Sequence, residues 1–234
     1  MFFVIFELKI PSSRTPVSTA YYTTLQKLLQ TQPGFISETP FASPHSADRQ
    51  VLIAQFTDEE SVHRWRTEHV HLQIEKKSRD DVFDDYRLRV GPEVSSTEDE
   101  DAQKGNHVTE KTGKVVVLYE RPVTQEDTTL PPRDVTELID PARASVADDV
   151  AASLVDTSVY QGEHHVVWIS AWPSTAAATA FEASIRRKEG DVVHLVHVVR
   201  DYGRFDREEA PEGADAAQAA SVSEGGGGER SGAS

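Results

Sequence analysis

The chain has 234 residues, with 39 acidic and 24 basic side chains, a formal net charge of −15 and no cysteine. That balance speaks against a nucleic-acid partner, which needs a basic face, and the lack of thiols excludes disulfides, iron–sulfur clusters and zinc–thiolate sites. No apolar run approaches the roughly 20 residues that span a bilayer, so a cytoplasmic protein without a membrane partner is expected.

The opening residues 1–6 are apolar, but they lack the basic segment and small-residue cleavage site of a signal peptide, and Glu7 follows at once. Their β-branched and aromatic side chains make residues 2–10 a strand. Residues 17–32 place Tyr21, Tyr22, Leu25, Leu28 and Leu29 on one side of a helix, which Pro33-Gly34 stops. Strands 35–42 and 51–56 follow. Thr57-Asp58-Glu59-Glu60 then offers an N-cap and acids for the helix dipole. Val62, Trp65, His69 and Leu72 recur at spacings of three and four, which predicts one helix running to the basic Lys76-Lys77-Ser78-Arg79. An alternating strand, 85–90, closes the unit. The order βαββαβ is ferredoxin-like. Helices cover one face of such a sheet and the other face needs a partner.

Residues 94–113 are acidic and polar and read as a linker. A divergent second copy follows. Strand 114–120 sets Glu120 in the place of Glu7, and 124–132 is a polar insertion. The helical stretch 134–153 is broken by Pro141, and strands 155–161 and 165–172 come next. An alanine-rich helix, 173–187, carries Pro173 in its first turn, and strand 192–200 ends the copy. Residues 208–234, rich in Ala, Gly and Ser, are expected to be a disordered tail. The predicted organisation is a first unit at 1–93, a linker at 94–113, a second unit at 114–207 and the tail. The predicted fold is α+β: two tandem ferredoxin-like βαββαβ repeats, each burying the bare sheet face of the other in a pseudo-dimeric α/β barrel. Further homo-oligomerisation stays open.

The first unit resembles a known family. Phe3-Val4-Ile5-Phe6-Glu7, the turn Gln32-Pro33-Gly34-Phe35, the acidic helix start, Trp65-Arg66, His71 and Asp85-Tyr86-Arg87-Leu88-Arg89-Val90 together resemble the antibiotic-biosynthesis monooxygenase family of dimeric α/β-barrel proteins. The resemblance covers residues 1–93, and the segment 200–211 resembles the closing segment of two-domain members. It implies a monooxygenase that needs no cofactor and acts with dioxygen on a small aromatic or polyketide-like molecule. Two alternatives belong to the same fold: a haem-binding and haem-degrading protein with His71 or His69 on iron, and a non-catalytic small-molecule-binding or stress-related protein.

Four residues are candidates for catalysis: Glu7, Trp65, His69 and His71. Trp65 and His71 match the family's functional positions. On one continuous helix Trp65 and His69 share a face and His71 points roughly 120° away; a bend after Thr67 would turn His71 inward. Glu7 lies on the strand face opposite Phe6. The haem-degrading relatives carry asparagine at that position, which lowers the haem reading. A carboxylate in an apolar pocket has its pKa raised and can accept a proton from a phenol. His164 and His165, like His194 and His197, point to opposite faces of their strands, so no metal site is expected. Neither a glycine-rich nucleotide loop after a strand nor a nucleophile elbow is present. In the second unit Phe181 and Arg187 stand opposite Trp65 and His71, which predicts that a pocket lies in the first unit.

Overall fold

The computed structural model describes residues 1–94, 108–123 and 129–211. Most of the expected linker, the first half of the polar insertion and nearly all of the expected tail lie outside the described residues.

The first repeat runs β1 (Phe2–Lys9), α1 (Thr15–Leu29), β2 (Phe35–Ala42), β3 (Arg49–Phe56), α2 (Glu59–Arg66), α3 (His69–Asp81) and β4 (Asp85–Val94). The second runs β5 (Val115–Pro122), two short 3-10 turns, α4 (Ala144–Ser153), β6 (Asp156–Gln161), β7 (His165–Trp172), α5 (Thr175–Ser184) and β8 (Val192–His197), and a short β9 (Arg200–Gly203) follows. Within the first repeat the spatial order is β4-β1-β3-β2, and within the second it is β8-β5-β7-β6, the same antiparallel arrangement twice.

The two sheets join at both edges. Ala42 of β2 pairs with Gln161 of β6, and Glu93 and Val94 of β4 pair with Val196 and Leu195 of β8. Strands β1 to β8 therefore close into a ring, with β9 alongside the first half of β4 at Arg87–Val90. Closure removes free sheet edges. The alternating side chains of one face fill the barrel: Phe3, Ile5, Val51 and Ile53 from the first repeat meet Val116, Leu118, Val167, Ile169 and Val196 from the second. The other face of each half-sheet carries helices.

Three elements differ from expectation, each for a local reason. The single helix expected after Asp58 is two. The Thr67 hydroxyl bonds back to the His63 carbonyl at 2.9 Å, α2 stops, and the Glu68 carboxylate caps α3 by accepting the His71 backbone N–H at 2.7 Å. The alanine-rich helix starts later than expected, because Ser174 is its N-cap and leaves Pro173 outside. The last strand is broken between His197 and Arg200, and its second piece crosses to β4.

Gly34 fixes the start of α2. Its φ is +82°, and a Cβ there would lie 2.0 Å from the Ser61 hydroxyl oxygen. Only glycine allows this turn, whose carbonyl accepts the Thr57 N–H at 2.8 Å.

Candidate active site

The helix-covered faces of the two repeats differ. In the second, Trp172 and Phe181 stack at 4.8 Å and 21°, both fully buried, within a continuous cluster that includes Val117, Trp168 and Ala178. In the first, the apolar side chains fall into two separate clusters, one around Phe56 and Val62 and one around Phe83 and Tyr86. A cavity of about 140 Å³ lies against them.

Cross-strand register builds the floor of this cavity. Antiparallel partners share a face, so Glu38 of β2, Ala54 of β3, Val4 of β1, Val90 of β4 and Arg200 of β9 form one row. Leu52, Phe6, Leu88 and Tyr202 form the next row. The row through Ala54 is apolar in its middle and charged at each end. Tyr22, Leu25 and Leu29 of α1 wall one side, and Trp65, Arg66, His71 and Glu75 of α2 and α3 wall the other.

The break between α2 and α3 decides which histidine enters. His71 turns in and stacks on Trp65, ring centroids 4.3 Å apart at 33°. His69 stays exposed on the outer face, where its Nε2 meets the Gln73 amide at 2.8 Å. Burial lowers the His71 pKa from 6.5 to about 4, against the partial opposition of the Arg66 carbonyl and the Glu68 carboxylate, so the ring is neutral at pH 7. Its Nδ1 is buried without a hydrogen-bond partner among the described residues.

Glu38 is the residue that sequence reasoning missed. Burial raises its pKa, although a hydrogen bond from the Tyr22 hydroxyl works the other way. Its Oε2 is buried and makes no hydrogen bond to any described residue. Burial also raises Tyr22, with the Glu38 charge adding to the effect, and the Gln26 amide holds that hydroxyl from outside at 3.0 Å.

Glu7 lies apart from this cavity. It faces the barrel interior, away from the cavity, because the sheet lies between the Glu7 and Phe6 faces. There it accepts hydrogen bonds from Ser158 and Tyr160, each at 2.9 Å, and from the buried guanidinium of Arg89. Arg89 also reaches Asp156 at 3.2 Å, and Arg87 holds Asp156 at 2.7 Å and Asp201 at 2.6 Å. This network ties the first repeat to the second. Of the four candidates, the structure brings Trp65 and His71 together, leaves His69 on the surface and places Glu7 in the seam.

Among the described residues no cluster of three metal-ligating side chains exists, and no helix is long and apolar enough to cross a membrane.

Comparison with known proteins places the chain as follows. Residues 1–77 match the model of the family described as Antibiotic biosynthesis monooxygenase. A protein of Pyricularia oryzae named Jasmonate monooxygenase ABM is 27% identical over 222 residues, covering 91% of this chain and 97% of that protein. Among solved structures, a Fusobacterium nucleatum protein titled a putative monooxygenase covers 86% of this chain and 93% of its own, at 6% identity and a TM-score of 0.36. SnoaB of Streptomyces nogalater, titled a cofactor-independent oxygenase, covers 41% of this chain and 95% of its own, at 14% identity and a TM-score of 0.37. The family match and the name of the curated relative support a monooxygenase-type function. Through residues 1–77 the first repeat is similar to the antibiotic biosynthesis monooxygenase family, and nearly the whole chain is similar to the Pyricularia oryzae protein.

Proposed function

We propose that the chain is a monooxygenase that works without flavin, haem or metal, on a small and largely apolar molecule held in the cavity of the first repeat. The observation that carries this reading is an apolar cavity holding two buried polar atoms, Glu38 Oε2 and His71 Nδ1, that make no hydrogen bond to a described residue. Its volume, about 140 Å³, is close to that of an engineered apolar cavity of about 150 Å³ that stays dry and takes up benzene. It suits one ring of an anthrone- or hydroquinone-type substrate.

Cofactor-free oxygenation needs a base that forms an electron-rich anion, and surroundings that exclude water. Glu38 is the better base, because a proton acceptor works best with a pKa nearer the working pH, and burial moves this carboxyl upward. His71, held near a pKa of 4, is a neutral ring that orients the substrate by hydrogen bonding. Trp65 walls the pocket. The substrate's proton passes to Glu38, and its anion gives electrons to dioxygen. For an anthrone the methylene becomes a carbonyl: one oxygen atom enters the substrate and the other leaves as water with two protons.

Oxygen uptake by chelator-treated, flavin-free protein tests the reading, with anthrones, hydroquinones and, because of the relative's name, jasmonate as substrates. Uptake matched to product, and lost in Glu38→Gln, is expected. No uptake with any of them would overturn it.

A further inference from the structure

A second cavity, of about 150 Å³, adjoins the first along the strands, and Phe6, Tyr22, Leu25 and Leu52 line both. Floor and roof pass from one cavity to the other in step. Side chains two apart share a face of a strand. On β1, Val4 lines only the first cavity, Phe6 both and Leu8 only the second; on β3 the same order is Ala54, Leu52 and Gln50. The backbone from Val4 to Leu8 runs about 14 Å. Above it, Leu29, Leu25, Tyr22 and Ser18 recur on α1 at spacings of four, three and four, so one stripe of the helix roofs both cavities. Leu29 lines only the first and Ser18 only the second.

The two cavities differ in charge. Glu38, Arg66, His71, Glu75 and Arg200 all line the first. The described lining of the second holds no charged side chain; its polar groups are hydroxyls, such as those of Ser18, Thr19 and Ser78, and the Gln50 amide. At the waist between them, Phe6 is fixed edge-on against Phe83 and Tyr86, ring centroids 5.7 and 5.8 Å away. Tyr22 is half-buried and tethered at its tip, where its hydroxyl accepts the Gln26 amide at 3.0 Å and bonds the Glu38 carboxyl. A hydroxyl that leaves such bonds for water exchanges one set for another at little cost, so Tyr22 is the part of the waist that can give way.

We propose that the two cavities are lobes of one ligand site and that Tyr22 is the specificity-determining residue between them. A one-ring ligand lies in the first lobe, and a longer one displaces the Tyr22 ring and extends an uncharged second part over Leu8 and Gln50. This rests on the reading of the first cavity as the substrate site and adds what sets the length of its ligand. Each lobe is close to the volume that takes one benzene ring, so the pair suits two rings end to end. A charged group entering the second lobe would lose its water and find no opposite charge in the described lining, so the neutral end of a ligand is the one that enters.

Phenol and 4-phenylphenol, both neutral at pH 7, test this when titrated calorimetrically into the full chain. The preference for 4-phenylphenol over phenol should rise in Tyr22→Ala, which opens the passage, and fall in Ser18→Phe, which fills the second lobe. Each change should be at least about tenfold, the least that burying a ring is worth, and phenol affinity should be unchanged in Ser18→Phe. Circular dichroism first establishes that each variant is folded; Ser18→Phe alters a half-buried helix position and carries the test alone if Tyr22→Ala does not fold. Binding of neither ligand, equal weakening of both in Ser18→Phe, or a preference that a folded variant leaves where it was would overturn the proposal. Binding is measured without turnover, so the outcome is separable from the oxygenase reading. A preference that moves as stated stands even if no oxygen is consumed. Oxygen uptake with one-ring phenols and an unmoved preference would remove this proposal alone.

Discussion

His71 lies against Trp65, ring centroids 4.3 Å apart and planes tilted by 33°, across a helix break at Thr67 and Glu68. The stacking removes the imidazole from water and leaves its Nδ1 without a partner among the described residues. This burial has a pH signature. The folded pKa is about 4 against 6.5 for the free side chain, so between these values the unfolded chain binds a proton that the folded chain does not. Stability therefore rises with pH across that window and levels off above it. At about 1.4 kcal/mol per unit, His71 contributes at most roughly 3 kcal/mol to the rise. In His71→Phe, urea unfolding measured from pH 4 to pH 7 should show a correspondingly shallower slope. An unchanged slope would place the ring in water.

Glu38 predicts the opposite sign. Its folded pKa is raised, so the folded chain holds its proton more tightly, and stability falls as pH rises through the carboxylate range toward the folded value. Glu38→Gln should leave stability at pH 7 unchanged or slightly higher, while turnover falls by at least about 100-fold, the usual worth of a positioned base. A variant with full turnover would return the proton-acceptor role to another group.

Glu7 should behave as a structural residue. Removing one partner of a buried, hydrogen-bonded pair costs about 3–5 kcal/mol, and the Arg89 side chain is 1% exposed. Glu7→Ala should lower the unfolding free energy by about 3 kcal/mol. At temperatures where the variant is folded, affinity for a cavity ligand should be unchanged. Weakened ligand binding at equal folding would show that the two faces of the sheet communicate.

Phe181 and Trp65 make a comparison across the pseudo-two-fold. Phe181→Ala empties a filled core and should cost about 3–5 kcal/mol with no effect on ligand affinity. Trp65→Ala enlarges an existing cavity, so it should cost less stability and weaken ligand binding at least tenfold. The reverse ranking for binding would put the site in the second repeat.

The sequence made the architecture plain because the alternation of strands and helices repeats, and because bare sheet faces demand cover. The helix break was foreseeable only as a condition: a period of three and four cannot announce a stop made by Thr67 bonding backward and Glu68 capping forward. Glu38 was hidden by a β-bulge. Phe35 pairs with Phe56 and Ser37 with Gln55, so the extra residue reverses the alternation between Phe35 and Phe41. Phe35 and Glu38 then share the helix-covered face although three positions separate them. The physical idea of a carboxylate with a raised pKa in an apolar pocket applies to Glu38, whereas Glu7 meets arginine. Which glutamate points where is a matter of pleat and register, and register is a property of the paired strands.

The barrel's seams are narrow, one residue pair at Ala42 and Gln161 and two at the β4–β8 junction. A homodimer with such seams must carry every substitution in both subunits, so a side chain that solidifies one helix layer solidifies its mirror image as well. One chain holding both halves escapes that duplication. Trp172 and Phe181 can brace one side while the other stays hollow, and because the halves share a backbone, dilution cannot part the brace from the vessel.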